Sequence, residues 1–329
     1  MTGAMRVQTT ARWHPETGWT LRNTAATTVR VLPFAFTHTV RKPFRSGRAA
    51  QGVTTQVTDP ELSRVVHDLY CDMFLRGYRQ VTRHVVHPAT GLALVLFTVF
   101  IYAFDDEFEV RRRQHAATEL SRILESPAVK EVWDALGRYL ENLDRTDAVR
   151  RYVVDDFLAP RLGDYRRDVD AAAAGPDFTT TARLVAFDSG EALHTAYHLI
   201  RLFNGHPRSD ACAEQFRRLG LAGKFLDDIA DYADDVRSQN PNLLDALAAR
   251  APSEFHAARA ALDAAVPVTW AWWRRHAPDT YRRYVADTHE HYARVTAPAL
   301  RLPLDVYLAL LHTKRFWNIS TVRASRRDG

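Results

Sequence analysis

The chain has 329 residues, 46% of them hydrophobic and 25% charged, a composition that excludes a wholly disordered protein. Its two cysteines, Cys71 and Cys212, stand far apart, which excludes a disulfide framework or a cysteine zinc site and fits a reducing cytoplasm. The formal charge of +5 is uneven: residues 1–58 hold eight basic side chains against one acid, Glu16, leaving 36 bases against 38 acids in residues 59–329.

Residues 1–58 are rich in Thr, Gly and Arg and lack helical periodicity, so they read as a basic, partly disordered N-terminal arm. The body is nearly neutral, and the overall charge therefore does not argue for a nucleic-acid partner. The longest apolar run, Leu92 to Phe104, is broken only by Thr98 and falls short of the roughly 20 residues a membrane span needs. No secretory leader pattern opens the chain, so a cytoplasmic protein without a membrane span is expected.

From residue 59 the pattern is helical. Asp59-Pro60-Glu61 combines a capping Asp with Pro in the first turn, and Leu62, Val65, Val66, Leu69 and Met73 then recur at three and four. Prolines 88, 127, 160, 176, 207, 241, 252, 278 and 298 punctuate the rest at helix-sized intervals. Ala171 to Ala174 running into Gly175-Pro176 reads as a helix end. Neither strand alternation nor a Gly-rich phosphate loop occurs. The prediction is an all-α protein of ten to twelve helices in a single domain over residues 59–329.

The apolar helix at 92–104 runs directly into Asp105-Asp106-Glu107-Phe108-Glu109. Asp105 and Glu109, four apart, share a helix face, and such like-charged pairs disfavour a helix by a few tenths of a kcal/mol, roughly, in water. The bland alternative is a helix that surfaces there, with Arg111, Arg112 and Arg113 as partners. A second cluster lies in Lys224-Phe225-Leu226-Asp227-Asp228-Ile229-Ala230-Asp231, followed by Asp234 and Asp235. Asp227, Asp231 and Asp235 fall at i, i+4 and i+8, one acidic stripe opposite Phe225, Ile229, Tyr232 and Val236. A solvated amphipathic helix also divides this way. Solubility alone would favour Glu, however, because Asp is a mediocre helix former. Magnesium accounts for both clusters: it takes oxygen ligands and is held by one or two carboxylates together with substrate phosphates.

These residues resemble the class I terpene synthases, the metal-dependent relatives of trans-prenyl diphosphate synthases. Asp105-Asp106-Glu107-Phe108-Glu109 resembles their DDxxD/E motif. Asp227, Asp231 and Asp235 stand at the Asn, Ser and Glu positions of their (N/D)DxxSxxxE motif. Asp188-Ser189-Gly190 falls where the family breaks a helix to present groups to the substrate, and Lys314-Arg315-Phe316 where it has an Arg-Tyr pair that touches diphosphate. The resemblance covers roughly residues 60–320 and is closest to bacterial diterpene cyclases. It departs at Asp231 (Ser in the family), at Phe316 (Tyr), and at Val185, where a diphosphate-sensing Arg is expected; Arg183 is carried in that role.

The resemblance implies a single-domain helical bundle and Mg2+-dependent ionisation of a prenyl diphosphate, geranylgeranyl diphosphate foremost and farnesyl diphosphate otherwise. Cyclisation to a terpene hydrocarbon or alcohol would follow, in bacterial secondary metabolism. Its implied metal ligands are Asp105, Asp106, Glu109, Asp227, Asp231 and Asp235, holding three ions with bound diphosphate. Arg183, Lys224, Lys314 and Arg315 would bind the diphosphate, with Asp188, Ser189 and Gly190 at the helix break. Phe97, Thr98, Ile101, Tyr102, Phe187 and Trp317 would wall the cavity, and a homodimer is compatible with the family. Trp270, Trp272 and Trp273 are read as core packing.

Four other readings stay open. A chain-elongating prenyltransferase fits Asp227-Asp228-Ile-Ala-Asp231 as its second DDxxD, but its basic GKRxRP element is missing ahead of residue 105. A head-to-head condensing enzyme of the squalene or phytoene synthase kind has comparable acidic motifs. His194 and His198 have the spacing of a zinc helix without the Glu of HExxH. A non-enzymatic all-α binding protein is the remaining alternative.

Overall fold

A computed structural model of the chain describes residues 72–141 and 146–311. The basic arm, the helix start at Asp59, and Lys314, Arg315, Phe316 and Trp317 lie outside the described residues. Every regular element among them is helical, as the apolar spacing predicts. In chain order these are α1 (Asp72–Thr82), α2 (Thr90–Arg113), α3 (Leu120–Leu124), α4 (Pro127–Glu141) and α5 (Thr146–Arg151). A wide π-turn at Tyr152–Leu158 leads into α6 (Ala159–Ala174). Next come α7 (Phe178–Val185), a second wide turn at Ala186–Glu191, and α8 (Ala192–Asn204). The remainder is α9 (Asp210–Ala230), α10 (Tyr232–Ser238), α11 (Leu243–Ala248), α12 (Pro252–Asp263), α13 (Trp270–His276), α14 (Pro278–Arg294) and α15 (Pro298–Leu311).

The described residues alone hold fifteen α segments, more than the ten to twelve expected, and the reason is local. Ala159-Pro160, read from sequence as a boundary, does not end a helix. Pro160 has no N–H to bond the fourth residue back, so the ladder widens just ahead of it and the helix continues. The turn at Ala186–Glu191 likewise joins α7 to α8, and Asp231 only bends α9 into α10, its N–H still bonded to Asp227 O at 2.9 Å. Other ends match the sequence: α6 stops at Gly175, Asp177 caps α7 by accepting from Thr180 N, and Ser209 caps α9 by accepting from Cys212 N.

The core forms around α2 and α9. The first three turns of α2 are apolar on nearly every side and are buried accordingly, with α4 packed along them. Helix α9 is flanked by α8, α14, α15 and the Ala186–Glu191 turn. Trp270 and Trp273 are buried in that core, and Trp273 meets Tyr232 edge-on at 5.0 Å, so the tryptophan cluster is packing as expected. Helix α1 lies on α15, where Gly77 leaves room for Leu300.

Candidate active site

A cavity of about 500 Å3 opens between α2, α6, α8, α9 and α15. Its wall is aromatic and aliphatic: Phe97, Thr98, Ile101 and Tyr102 from α2 and Phe187 from the second turn line it. Those are all the described residues predicted as wall. Sequence reasoning missed Phe157 and Tyr165, which reach the cavity from the other side. Phe157 stacks on Phe187 at 5.4 Å, and Tyr165 lies 4.9 Å from Phe187 and 5.4 Å from Phe108. Their spacing of eight residues was the available signal, but the widened turn between them hides it. Pro303 and Leu304 of α15 complete the lining. The Thr98 hydroxyl is turned back to Leu94 O (2.8 Å), so it adds no free donor to the wall.

Three acids, Asp105, Asp188 and Asp227, and one base, Lys224, are the charged groups in that lining. They come from three different elements. Asp105 ends the apolar part of α2, Asp188 projects from the wide turn, and Asp227 and Lys224 share a face of α9. Asp105 is reached by solvent through the cavity yet enclosed by protein on its other sides. That enclosure, then the charges of Asp188, Glu109 and Asp106, push its carboxyl up to about 7. Asp188 is raised to about 6 by burial, against the pull of Lys224 and of the Ser189 hydroxyl, which donates to Asp188 Oδ1 at 2.8 Å. Tyr102 and Tyr165 both feel Asp105 from the cavity wall, and burial keeps their hydroxyls protonated.

Asp231 and Asp235 continue the stripe outside the lining. Burial and the neighbouring carboxylates raise Asp231 to about 7; burial raises Asp235 to about 7 although Asn242 Nδ2 donates to its Oδ2 at 2.8 Å. Asn242, unmarked in the sequence reading, also caps α11 through Leu244 N and Asp245 N. Asp228 is fully buried and has a structural part: it accepts from Leu243 N and pairs with Lys224 Nζ at 2.9 Å. Burial alone would lower Lys224; Asp228, Asp227 and Asp188 more than reverse that and keep it charged.

Two expectations are corrected. Arg183 does not reach the cavity: it is exposed and holds Asp168 through Nε (2.9 Å) and Nη2 (2.6 Å), because the last turn of α7 faces α6. Glu109 is drawn outward to Arg112 Nη2 at 2.8 Å and lies 3.7 Å from Arg113, the ion-pair arrangement weighed as the bland alternative. Asp106 is exposed beside Asp105 and is not among the lining residues. Gly190 is buried against Leu221. His194 sits 3.3 Å from Glu191, whose carboxylate also holds Arg161 and Arg217. His198 is buried under Tyr152, ring centroids 4.5 Å apart, and meets His194 edge-on at 4.7 Å.

Among the described residues no three His, Cys, Asp or Glu side chains converge to hold a metal ion by themselves. The donor set nonetheless suits magnesium. The groups are carboxylates, several are raised by burial and then by one another's charge, and magnesium completes its shell with water and phosphate oxygens instead of a protein cage.

No family model matches the chain, and no curated protein does. Among solved structures it is similar to a polyprenyl synthase from Roseobacter denitrificans, at 12% identity over 88% of this chain and 99% of that one, TM-score 0.47. A geranylgeranyl pyrophosphate synthetase from Pyrococcus horikoshii is also similar, at 12% identity, 88% and 96% coverage, and TM-score 0.49. A third is geranylgeranyl pyrophosphate synthase from Corynebacterium glutamicum, complexed with isoprenyl diphosphate and magnesium, at 14% identity, 89% and 99% coverage, and TM-score 0.44.

Proposed function

We propose that this protein ionises a prenyl diphosphate with the help of magnesium and steers the resulting carbocation in its aromatic cavity. One observation carries the reading: carboxylates from three helical elements and a single lysine meet at one end of an otherwise apolar, aromatic-walled chamber. That lining holds three acids against one base, so a diphosphate is repelled unless divalent cations accompany it. An apolar tail and an anionic head therefore have distinct places. Asp105 and Asp227, with Asp231 and Asp235 behind, would hold the ions, and bound magnesium would neutralise charge on the departing diphosphate.

The chain's own residues do the rest. Lys224, charged and fixed by Asp228, offers a preorganised cation where negative charge develops. As the C1–O bond breaks, its electron pair leaves with the diphosphate and an allylic cation remains. Phe157, Phe187 and Tyr165 line the chamber and pack ring against ring, and an aromatic face attracts a cation by roughly 0.5–2 kcal/mol. The apolar walls exclude water until new carbon–carbon bonds form. Lys314 and Arg315 remain proposed diphosphate ligands from beyond the described residues.

Intramolecular cyclisation is one fate of that cation, read from the likeness of Asp105–Glu109 and of Asp227, Asp231 and Asp235 to the terpene synthase motifs. Prenyl transfer is the other fate, favoured by the DDxxD spacing of Asp227, Asp228 and Asp231. Incubation of the protein with C10, C15 and C20 prenyl diphosphates, with and without magnesium, tests both by diphosphate release and gas chromatography. A cyclic hydrocarbon or alcohol from one substrate supports cyclisation. Product that forms only with a second diphosphate-bearing substrate supports transfer, and no magnesium-dependent release from any of them ends the proposal.

A further inference from the structure

The wide turn at Ala186–Glu191 is gripped from two directions. Gly220 of α9 lets that helix approach it backbone to backbone. A Cβ at residue 220 would lie 2.7 Å from the Ser189 carbonyl carbon, 3.2 Å from Gly190 Cα, and closer still to the Ser189 oxygen. Real Cβ atoms essentially never approach within 3.0 Å, and a backbone carbonyl cannot swing aside as a side-chain tip can. One residue past Gly190, Glu191 forms ion pairs with Arg161 Nη1 at 2.9 Å and with Arg217 Nη2 at 2.9 Å, with His194 Nδ1 3.3 Å away. Arg161 comes from α6 and Arg217 from α9, so the carboxylate ties the turn to both neighbouring helices. Glu191 itself is only 15% exposed, although its arginine partners reach solvent.

We propose that the Ala186–Glu191 turn is a fixed mount and not a hinge. Gly220 and Glu191 act as positioning residues that set where Asp188 and Ser189 stand opposite Asp105 and Asp227. The kinetic part of this proposal rests on the function given above; the mechanical part does not. A methyl group at residue 220 has to push the Ser189 carbonyl outward, and a displacement of about 1 Å in a reacting constellation costs as much as ~100-fold in rate. The prenyl tail is held by the apolar wall, so its binding does not depend on the mount.

Hydrogen exchange on the full wild-type chain reads the mount directly. The amides of residues 186–191 should exchange as slowly as those of α7 and α8 without any ligand, and exchange at loop rates overturns the proposal. Gly220→Ala should lower kcat by roughly 10–100-fold and leave KM for the prenyl diphosphate within about threefold. Its calorimetric affinity for inorganic diphosphate with magnesium should fall by about tenfold or more. Glu191→Gln keeps the volume, should shift the same two readouts, and serves if Gly220→Ala does not fold. Gly163→Ala, on the exposed face of α6, should leave both unchanged. Folded variants with wild-type kcat and wild-type affinity would sink the idea. Should the wild type release no diphosphate from any prenyl substrate, the functional reading fails, while exchange and calorimetry still judge the mount.

Discussion

Asp105 and Lys224 have opposite relations to stability. Asp105 stands among like charges, and enclosure raises it to about 7, so the unbound protein is better off without it. Asp105→Ala is expected to abolish magnesium-dependent diphosphate release, and Asp231→Ala likewise, while the melting temperature of the metal-free protein stays level or rises. A scanning fluorimeter and a phosphate assay on the same preparation check the pair; full turnover in either variant would overturn the metal assignment. Lys224→Met should do the reverse to stability. It leaves Asp228 buried without its partner, and breaking a buried pair in this way costs about 3–5 kcal/mol, measurable by denaturant titration. These residues were legible in the sequence because charge in an apolar context is conspicuous. Tyr165 and Asn242 were not: a lone Tyr or Asn has no signature until another helix gives it something to face.

Glycines separate two kinds of helix–helix contact. At Gly77 an added Cβ would strike Cγ and Cδ2 of Leu300, with Cδ1 at 3.1 Å, so Gly77→Ala forces the leucine off its packing. Overpacking of that sort costs about 1–3 kcal/mol. Gly163 has nothing nearer than Arg167 Nη1 at 4.0 Å, and Gly163→Ala in that exposed helix should gain roughly 0.5–1 kcal/mol. Urea midpoints of the two variants should move in opposite directions, and a shared sign would count against the α1–α15 packing. The same scale shows what periodicity conveys. Apolar spacing and proline punctuation located the helices well, since both act within one turn of the chain. The widened turns escaped that reading because they arise from a missing N–H at Pro160 in one case. The other lies against the backbone of α9 at Gly220, and only the resemblance at Asp188-Ser189-Gly190 marked it in advance.

Across the whole molecule, two sets of buried groups respond to pH in opposite senses. Asp105, Asp231 and Asp235 are raised from 3.8 to about 7, so between those values the folded chain binds more protons than the unfolded chain. Their effect on stability is favourable at low pH and fades as pH rises through about 7. His198 is lowered from 6.5 to about 3 and His291 to about 4, chiefly by burial and then by neighbouring positive groups, His194 beside His198 and Arg218 beside His291. Those imidazoles stabilise fully above 6.5 and less as pH falls. Asp188, raised to about 6, joins the acids, so four carboxyls outweigh two imidazoles between about pH 4 and 6.5, and the acids act alone from there to about 7. The metal-free protein should therefore melt progressively lower as pH rises from about 4 to about 7 and level off above. Magnesium with inorganic diphosphate should remove that decline, and a decline unaffected by both would mean that the acids do not bind them.

Helix α15 supplies Pro303 and Leu304 to the chamber, and it docks on α1 and α9 from the far end of the described chain. Among the described residues, α15 is the last wall element to be made. Until α15 docks, the acidic end and the aromatic rings could already be assembled while the other side stands open to water. If the proposed function holds, a growing or clipped chain in that condition releases diphosphate but loses its carbocation to solvent as a simple prenyl alcohol. Retention of the reactive species would then arrive with the docking of α15 and be lost first when that helix is removed.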